Sequence, residues 1–336
     1  MCEKRCCTIL DTWYAKKSPV FEEKECKSVI HQFTVKGHTG LTINPYQGCG
    51  HRCGYCYATY EWSPEFYNRI YAKSNVAQVL EKQLKSRKYQ SIDSVMISSA
   101  TDAYQPAEVK YGLTRKCVEV LQNYNIPYYV FTKSKIIERD LNLHQRFKDN
   151  CFLVWSITTA DENIRRLVEP GTPPANSMFK VIKRFTDAGV RCCVNIDPLI
   201  PLITDSPAHV QEVVNRSYNA GVRYVFGALL RLRSDIWERM KIILRLLHLE
   251  KAIEEYKNAI YRFDEPLKLW SNVGAIKSYE TKALQNLREI AIKKGMILDF
   301  PDIKRNSRPN SNKKDHDVGQ DLLLKYLSPE KQLCVL

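Results

Sequence analysis

The sequence predicts an α/β fold in which parallel strands alternate with helices, arranged either as an α/β barrel, complete or partial, or as an open sheet. Between about residues 39 and 230, short runs of β-branched and aromatic residues alternate with longer amphipathic stretches. Six such runs are strand-like, and the chain between them leaves room for helical crossovers. This alternation is typical of parallel strands joined by right-handed connections. The 336 residues, 44% of them hydrophobic, are enough to bury one large core or two modest ones.

The individual elements follow from the period of the hydrophobic residues. The predicted strands cover residues 41–44, 95–97, 128–131, 152–157, 190–196 and 224–226. The helices assigned between them cover about residues 76–87, 115–123, 179–188 and 208–219. Gly189 follows the third of these helices in the manner of a C-terminal glycine cap.

The composition divides the chain into three parts. Residues 1–38 are polar, contain cysteines and show no helical or strand period, so we expect an irregular N-terminal extension. Residues 39–230 form the predicted barrel. Residues 231–336 form a helical, basic C-terminal region with helices over about 236–256 and 279–294. Within that region, residues 304–314 contain five basic residues and no acidic residue, which is typical of a solvated loop or a disordered arm.

The net charge of +14, from 51 basic and 37 acidic residues, favours an acidic partner. DNA or RNA is the leading candidate, and the alternative is that the charge serves solubility alone. The predicted nucleic-acid surface comprises Arg239, Lys241, Arg245 and the arm 304–314. No apolar run approaches the roughly 20 residues that cross a bilayer, and the N-terminus lacks a signal-peptide core. The predicted location is therefore the cytoplasm, without membrane contact.

The most informative segment is the loop after the first predicted strand, where Cys49, Cys53 and Cys56 follow the spacing Cys-x3-Cys-x2-Cys. Neighbouring glycines let the backbone curl round a bulky group; they are Gly48, Gly50 and Gly54. A cubane cluster needs one ligand for each of its four irons, so three cysteines leave the fourth iron open. S-adenosylmethionine offers a chelate for it, and one electron would then release a 5′-deoxyadenosyl radical. The motif therefore predicts a [4Fe–4S] cluster and S-adenosylmethionine as cofactors.

A structural zinc site is the alternative interpretation of the same motif, with His51 or Cys26 as the fourth ligand. Zinc sites usually combine two CxxC pairs, or one pair with two histidines, and this chain has no second pair. The N-terminal cysteines suggest a second iron–sulfur cluster, for which a disulfide or free thiols are the alternatives. These cysteines are Cys2, Cys6, Cys7 and Cys26.

The segment from Cys49 to Tyr57 is similar to the signature of the radical S-adenosylmethionine (radical SAM) superfamily, in the form with an aromatic residue before the last cysteine. Further segments resemble the spore photoproduct lyase-like (DNA repair photolyase-like) group. These segments are Asn44–Gly48, Tyr55–Tyr57, Ser98–Asp102, Thr132–Ser134, Trp155–Thr159 and Glu169–Pro170. The resemblance covers about residues 40–230. It implies a partial (β/α)6 barrel, similar to a TIM barrel, with the active site at the carboxyl ends of the strands.

The resemblance also implies roles for individual residues. Tyr55 would lie near the adenine of S-adenosylmethionine, and Ser99, Thr101 and Asp102 would line its methionine end. Lys133 and Ser156, which follow the third and fourth strands, would bind its carboxylate and its ribose. Independently of the resemblance, the segment Asn195–Pro198 at the end of the fifth predicted strand puts polar groups where cofactor or substrate would sit, and the alternative is an ordinary strand-terminating turn. The candidate catalytic residues are Tyr57, placed near the radical or the substrate, and Ser99.

One departure from the group bears on the reaction. Spore photoproduct lyases carry a hydrogen-donor cysteine beside the second strand, where this chain has Ser98–Asp102. A hydroxyl is a poorer hydrogen-atom donor than a thiol, which argues against thymine-dimer reversal, although Cys192 or Cys193 on the fifth strand would restore a thiol. The expected function is radical chemistry on nucleic acid, in repair or modification, with an electron donor such as ferredoxin or flavodoxin. The alternatives are modification of a peptide or small metabolite, or a nucleic-acid-binding protein with a structural or redox-sensing cluster.

Overall fold

The computed structural model describes residues 13, 18–35, 38–60, 65–89, 91–268, 271–299 and 303. The strands are β1 Val20–Lys24, β2 Ile30–Val35, β3 His38–Ile43, β4 Tyr46–Gln47, β5 Arg69–Lys73, β6 Val95–Ile97, β7 Tyr128–Thr132, β8 Cys151–Ser156, β9 Cys192–Leu199, β10 Tyr224–Leu229 and β11 Ile297–Leu298. The helices are α1 Val76–Leu84, α2 Ala107–Tyr111, α3 Leu113–Asn123, α4 Leu141–Gln145, α5 Glu162–Val168, α6 Ala175–Asp187, α7 Pro207–Asn219, α8 Ser234–Leu246, α9 Lys251–Glu255 and α10 Lys277–Lys293. Single 3₁₀ turns cover Tyr57–Tyr60, Arg87–Tyr89 and Ile136–Asp140, and a π-helical turn covers Tyr256–Ile260.

The main sheet has the strand order β11-β10-β9-β8-β7-β6-β3-β2. All neighbouring strands in it are parallel except β2 and β3, which form an antiparallel pair. The six predicted strands correspond to β3, β6, β7, β8, β9 and β10, which lie side by side in chain order. The predicted partial (β/α)6 barrel is therefore confirmed.

Successive side chains on the central strands alternate between the helices outside the barrel and the barrel interior. Tyr128 and Val130 on β7 belong to the large core shared with the helices. Tyr129, between them, belongs to a separate interior cluster. The buried members of that interior cluster are Tyr129, Phe152, Val154, Cys193 and Ile303. Because both faces are covered, these strands read as continuous apolar runs in the sequence.

The N-terminal extension differs from its predicted irregular form. β1 pairs in parallel with β5, and β2 pairs antiparallel with β3. β1 is largely exposed, with the sequence VFEEK, so it lacks the clean alternation by which a half-buried strand is recognised. Its partner β5 lies more than forty residues further along the chain, and no local pattern reveals such a pairing.

The C-terminal region is helical, but the predicted helix over 236–256 is interrupted. α8 ends at Leu246, and the chain turns at His248, which has a φ of +57°, before α9 begins. α10 ends before Gly295, whose φ of +77° is readily adopted by glycine. The division at residues 38/39 and 230/231 remains a prediction. None of the helices within the described ranges could cross a bilayer.

Candidate active site

The cysteine loop follows β3 and β4 at the carboxyl end of the barrel strands. Cys49 and Cys53 are buried, and Cys56 is partly buried in the same hydrophobic cluster. Burial is the main cause that raises the pKa of each of the three thiols, and the nearby Cys56 adds to the rise at Cys49 and at Cys53. The three cysteines therefore lie together, and a bound cation would have to stabilise their thiolate forms.

Two glycines are required where the loop is most tightly packed. Gly48 has a φ of +84°, and a Cβ added there would lie 2.5 Å from the carbonyl oxygen of Arg69. A Cβ added to Gly54 would lie 2.7 Å from Ile243 Cδ1 and from a ring carbon of Trp13. These glycines therefore serve not only the predicted curvature of the loop but also its close packing against β5 and α8.

Side chains from distant parts of the chain hold the loop by its backbone. Gln105 donates to the carbonyl of Gly48 (2.9 Å) and accepts from the N–H of Gly50 (3.2 Å), so it brackets Cys49. The hydroxyl of Tyr67 donates to the carbonyl of Cys53 at 2.7 Å. Neither residue was predicted from the sequence, because neither belongs to a motif.

Arg239 corrects one prediction directly. It was assigned to an exposed nucleic-acid surface, but only 6% of it is exposed. Its Nε donates to the carbonyl of Gly54 at 2.7 Å, its Nη2 donates to that of Cys56 at 3.3 Å, and the same nitrogen lies 2.9 Å from Asp235. A buried guanidinium can satisfy several carbonyls at once, so Arg239 fixes the cysteine loop instead of facing solvent.

The rest of the predicted nucleic-acid surface divides into two parts. Lys241 is mostly buried and pairs with Glu238 (2.9 Å) and Glu265 (3.1 Å), while Arg245 is exposed. The arm 304–314 lies outside the described residues, as do Cys2, Cys6 and Cys7 of the suggested second cluster. Of that cluster only Cys26 is described, and its thiol donates to Asn75 Oδ1 at 3.3 Å, so nothing described supports a second cluster.

The surroundings of His51 and Cys26, the candidate fourth ligands, help to decide between an iron–sulfur cluster and a zinc ion. His51 Nε2 lies 3.2 Å from Asp102 Oδ2, and its Nδ1 lies 3.2 Å from the carbonyl of Gly171, so both ring nitrogens face other groups. Cys26 packs in the large core, away from the cysteine loop. Within the described residues no three His, Cys, Asp or Glu side chains converge on one metal ion. A cubane cluster spreads its ligands over several irons, so three cysteines without a fourth ligand fit it better than they fit zinc.

A buried ion pair lies next to the cysteines. Lys133, 13% exposed, extends its Nζ to Glu169 Oε1 (3.1 Å) and to the carbonyl of Ser156 (3.2 Å). The hydroxyl of Tyr55 donates to Glu169 and lies 2.9 Å from that of Thr158. Burial alone would raise the pKa of Glu169, but the charge of Lys133 and these hydrogen bonds outweigh it and lower that pKa. Glu169 and Thr158 were not among the predicted site residues, although both fall in segments that carry the resemblance.

Asp102 connects the cysteine loop to the barrel. Its Oδ1 accepts from Thr132 Oγ1 and from the N–H of Tyr104, each at 2.8 Å. Its Oδ2 accepts from the N–H of Lys133 at 2.5 Å and faces His51. Burial would raise the pKa of Asp102, but His51 and these donors lower it. The carboxylate thus fixes the ends of β6 and β7 against the loop.

Tyr57 and Ser99, the candidate catalytic residues, are in contact. The Tyr57 hydroxyl donates to the carbonyl of Ser99, and 49% of the tyrosine is exposed. Ser99 Oγ accepts from Thr42 Oγ1 at 3.0 Å and lies 3.5 Å from Asn44 Nδ2. The structure therefore brings the two together at the end of β6, with the tyrosine ring at the surface.

Some buried polar atoms at this end of the barrel have no partner within the described residues. They are Ser98 Oγ and Thr101 Oγ1, just past β6, and Asn195 Oδ1 on β9. Asn195 lies beside Ser156 in the pairing of β8 with β9. Buried polar atoms are nearly always satisfied, so an unsatisfied group indicates a missing ligand, ion or water. These atoms fit a polar cofactor bound over the strand ends, next to the cysteines.

The fifth strand does not restore a thiol to the barrel mouth. Cys192 packs in the core shared with the helices. Cys193 faces the interior but lies two residues before Asn195, among Phe152 and Val154. Within the described residues, neither cysteine of β9 therefore takes the place of the hydrogen-donor cysteine of the lyases.

Comparisons with known proteins agree with this geometry. The model of the Radical SAM superfamily matches residues 43–215. An uncharacterized protein of Mycobacterium tuberculosis is 31% identical over 232 residues, which are 65% of this chain and 67% of that protein. An uncharacterized protein of Methanocaldococcus jannaschii is 25% identical over 259 residues, covering 75% and 88% of the two chains.

The solved structures of similar fold include spore photoproduct lyases. A variant with bound S-adenosylmethionine and dinucleoside spore photoproduct has a TM-score of 0.64 at 14% identity, covering 86% of this chain and 83% of that chain. A lyase complexed with the dinucleoside has a TM-score of 0.61 at 13% identity, covering 82% and 80%. At this identity the likeness concerns the fold alone.

Proposed function

This chain belongs to the radical SAM superfamily, and from that premise we propose that Cys49, Cys53 and Cys56 hold a [4Fe–4S] cluster that activates S-adenosylmethionine for a reaction on nucleic acid. When bound, the cluster and its cofactor supply one-electron chemistry and a carbon-centred radical. The residues of the chain bind, orient and shield these groups. The protein is thus an enzyme. The assignment of nucleic acid as its substrate is the more specific part of the proposal.

The observation that carries the proposal is the set of unsatisfied polar atoms beside the cysteines. Thr101 Oγ1, past the end of β6, and Asn195 Oδ1, level with the last residue of β8, are buried without a partner in the described chain. A purely structural or redox-sensing cluster has no use for such atoms, because leaving each one unsatisfied costs about 1–3 kcal/mol. A cofactor with hydroxyl, amino and carboxylate groups would satisfy them.

The ion pair beneath these atoms suits the amino-acid end of S-adenosylmethionine. Lys133 uses two of its three N–H donors on Ser156 and Glu169, which leaves one for a carboxylate. Glu169 presents a negative charge that attracts an amino group. We assign the Ser156 side chain, directly opposite Asn195 in the pairing of β8 with β9, to a ribose hydroxyl, and Tyr55 to the adenine.

Tyr57 and Ser99 are proposed to act at the substrate side. The exposed ring of Tyr57 offers a flat apolar face on which a base would stack, as aromatic side chains do in single-strand recognition. Its hydroxyl is anchored on the carbonyl of Ser99, so the ring is held in one orientation. Thr101 and Asp102, in the same segment as Ser99, would position the cofactor.

The nucleic-acid substrate is supported by charge and by the fold. The net charge is +14, and Arg245 is exposed on α8. The spore photoproduct lyase with a TM-score of 0.64 binds a dinucleoside photoproduct. Repair by thymine-dimer reversal is not proposed, because the segment after β6 has hydroxyls where the lyases have a thiol. Modification of DNA or RNA is the proposed class.

The first test is anaerobic reconstitution with iron and sulfide, reduction with dithionite, and chromatography for 5′-deoxyadenosine. We expect wild-type protein to form it.

Lys133→Met should weaken S-adenosylmethionine binding by about 1–3 kcal/mol, the range for a hydrogen bond to a charged group. Lys183→Met, which removes an exposed lysine paired with Asp187, is the matched control and should bind normally. An unchanged dissociation constant for Lys133→Met would assign that lysine another role.

The second test concerns the substrate. Duplex DNA, single-stranded DNA and structured RNA are titrated with the protein across a salt series. Phosphate contacts predict a log–log slope of about −0.9 for each phosphate neutralised on duplex DNA. Loss of binding on deleting residues 304–314 would locate the contact on the arm, and loss on Arg245→Ala would locate it on α8. Binding to none of the probes at low salt would contradict a nucleic-acid substrate and favour a peptide or metabolite.

A further inference from the structure

A basic surface with an apolar centre lies next to the cysteine loop on the outside of the barrel. Its centre is Val109 on α2, 67% exposed, together with exposed Pro106 at the start of that helix. The exposed lysines round it are Lys110, Lys116 and Lys135. Val109 and Pro106 thus give the basic rim a small apolar centre.

The lysines belong to one surface because the elements that carry them are bonded together. Lys135 precedes the 3₁₀ turn that contains Arg139, and Arg139 donates to the carbonyl of Glu108, the neighbour of Val109. Lys116 lies on α3, one turn beyond Gly112, whose N–H also bonds to that carbonyl. None of the three lysines lies within salt-bridge distance of a carboxylate in the described ranges, so their charges remain available.

This surface adjoins the cysteine loop through Gln105 and Pro106. Gln105, the residue before Pro106, is bonded to the backbone on both sides of Cys49. A Cβ added to Gly50 would lie 3.4 Å from Pro106 Cδ, so the exposed proline touches the loop. Other parts of the loop pack against buried residues, which include Phe66, Tyr67, Val168 and Ile243. Pro106, itself part of the basic surface, therefore connects that surface to the loop next to Cys49.

We propose that this surface, defined by Pro106, Val109, Lys110, Lys116 and Lys135, docks a small acidic one-electron carrier. In the step it serves, one electron leaves the reduced cofactor of the carrier and enters the cluster; no bond is formed or broken. The inference rests on the proposed function, since it needs the cluster. Complementary charge steers such encounters, and a small apolar centre allows the weak contact that rapid turnover of carriers requires.

Nucleic acid is the other acidic macromolecule that a basic surface attracts, and two features favour the carrier. The centre of the surface is aliphatic rather than aromatic, so it offers no stacking face for bases. The surface is also formed by α2, α3 and the turn after β7, and it includes neither Tyr57 nor any of the unsatisfied polar atoms that are proposed to face cofactor and substrate.

The test compares two triple variants of the full chain. In the first, Lys110, Lys116 and Lys135 are each changed to Glu. In the second, the same change in net charge is made on α6 and α10, at the exposed lysines Lys180, Lys282 and Lys293. Affinity for oxidised bacterial flavodoxin is measured by titration, and the rate of cluster reduction by reduced flavodoxin is measured by stopped flow. Dithionite, which needs no docking surface, is the reference reductant.

We expect the first triple to lose about tenfold or more in affinity and in flavodoxin-driven reduction at low salt, because like charges now face each other. The second triple should behave as wild type, and dithionite should reduce all three proteins equally. Val109→Asp should also slow reduction by flavodoxin. Equal flavodoxin kinetics for both triples, with dithionite reduction intact, would overturn the docking surface while leaving the proposed function in place.

Two other outcomes also count against the proposal. If the first triple loses affinity for an RNA hairpin but keeps its affinity for flavodoxin, the surface binds nucleic acid. If wild-type protein forms no iron–sulfur chromophore on reconstitution, the proposed function fails as well, and that failure is visible before any carrier is added.

Discussion

Two buried polar networks in this molecule look alike in composition but differ in how completely they are satisfied. The first lies at the barrel mouth and contains the Lys133–Glu169 pair, with Thr101 Oγ1 and Asn195 Oδ1 left without partners. The second lies in the outer wall, between β7, α3 and the turn before α4, and centres on Glu108 and Asp140.

In the wall network every carboxylate has several donors. Glu108 accepts from Arg139 Nη2 and from the N–H of Thr114, each at 2.9 Å. Asp140 accepts from Arg139 and from Arg115 Nη1 (2.8 Å).

The network continues inwards to a histidine. His144 has one ring nitrogen 2.9 Å from the hydroxyl of Tyr104 and the other 3.1 Å from that of Tyr128. A network that is complete without a ligand serves the fold, whereas one that is incomplete without a ligand is a binding site. Changes in the wall should therefore alter stability, and changes at the mouth should alter cofactor binding and activity.

The largest expected effect is on the cluster itself. Cys53→Ala should abolish the brown chromophore and the formation of 5′-deoxyadenosine, because one iron loses its ligand. Cys117→Ala, at an equally buried cysteine of the large core, is the matched control and should keep both. Iron analysis and absorption spectra of the reconstituted proteins measure the difference, and a chromophore that survives in Cys53→Ala would remove that residue from the ligand set.

The second effect is on the wall. Arg139→Leu should lower the free energy of unfolding by about 3 kcal/mol, because Glu108 and Asp140 stay fully buried with fewer donors. Arg184→Leu, which removes an exposed arginine paired with Glu138, should cost less than about 1 kcal/mol. Urea unfolding gives both values. If Arg139→Leu instead weakened cofactor binding without loss of stability, the assignment of the wall to the fold would be wrong.

The wall also predicts how stability depends on pH. Burial lowers the pKa of His144 from 6.5 to about 4, so the folded protein keeps this histidine neutral. As the pH falls below 6.5 the unfolded chain takes up the proton first, and stability is lost until the folded pKa is passed. At about 1.4 kcal/mol for each pH unit, the loss reaches about 3 kcal/mol near pH 4. Urea titrations at pH 7, 6 and 5 should show a decline that is absent in His144→Gln.

The smallest effect separates the two networks most cleanly. Asn195→Leu removes an atom that has no partner, so the free energy of unfolding should stay the same or rise by up to about 1 kcal/mol. Binding of S-adenosylmethionine should weaken by about 0.5–1.5 kcal/mol. Thr114→Val in the wall loses the bond to the carbonyl of Ala103. It should lower the free energy of unfolding and leave the binding of S-adenosylmethionine unchanged. A loss of stability in Asn195→Leu without any change in binding would contradict the mouth as a cofactor site.

The sequence predicted those parts of the site that depend on short, continuous segments of the chain. The cysteine spacing, the six parallel strands and the positions of Lys133 and Ser156 at strand ends all follow from short segments. Asn195 was also expected at a strand end, but β9 continues to Leu199, so Asn195 lies inside the strand, opposite Ser156. The supports of the loop do not, because Gln105 and Tyr67 reach it from other elements. Arg239 is a partial exception. It falls in the apolar stripe of α8 with Ile236 and Ile243, and a charged residue in such a stripe is a candidate for burial.

The most direct test of the central claim is electron paramagnetic resonance of the anaerobically reconstituted, reduced protein with and without S-adenosylmethionine. The account predicts about four irons for each chain and a cluster signal that changes when the cofactor is added, because one iron lacks a protein ligand. It also predicts that Asn195→Leu needs more cofactor to produce that change. A single zinc ion for each chain, or a cluster signal that S-adenosylmethionine leaves unaltered, would contradict it.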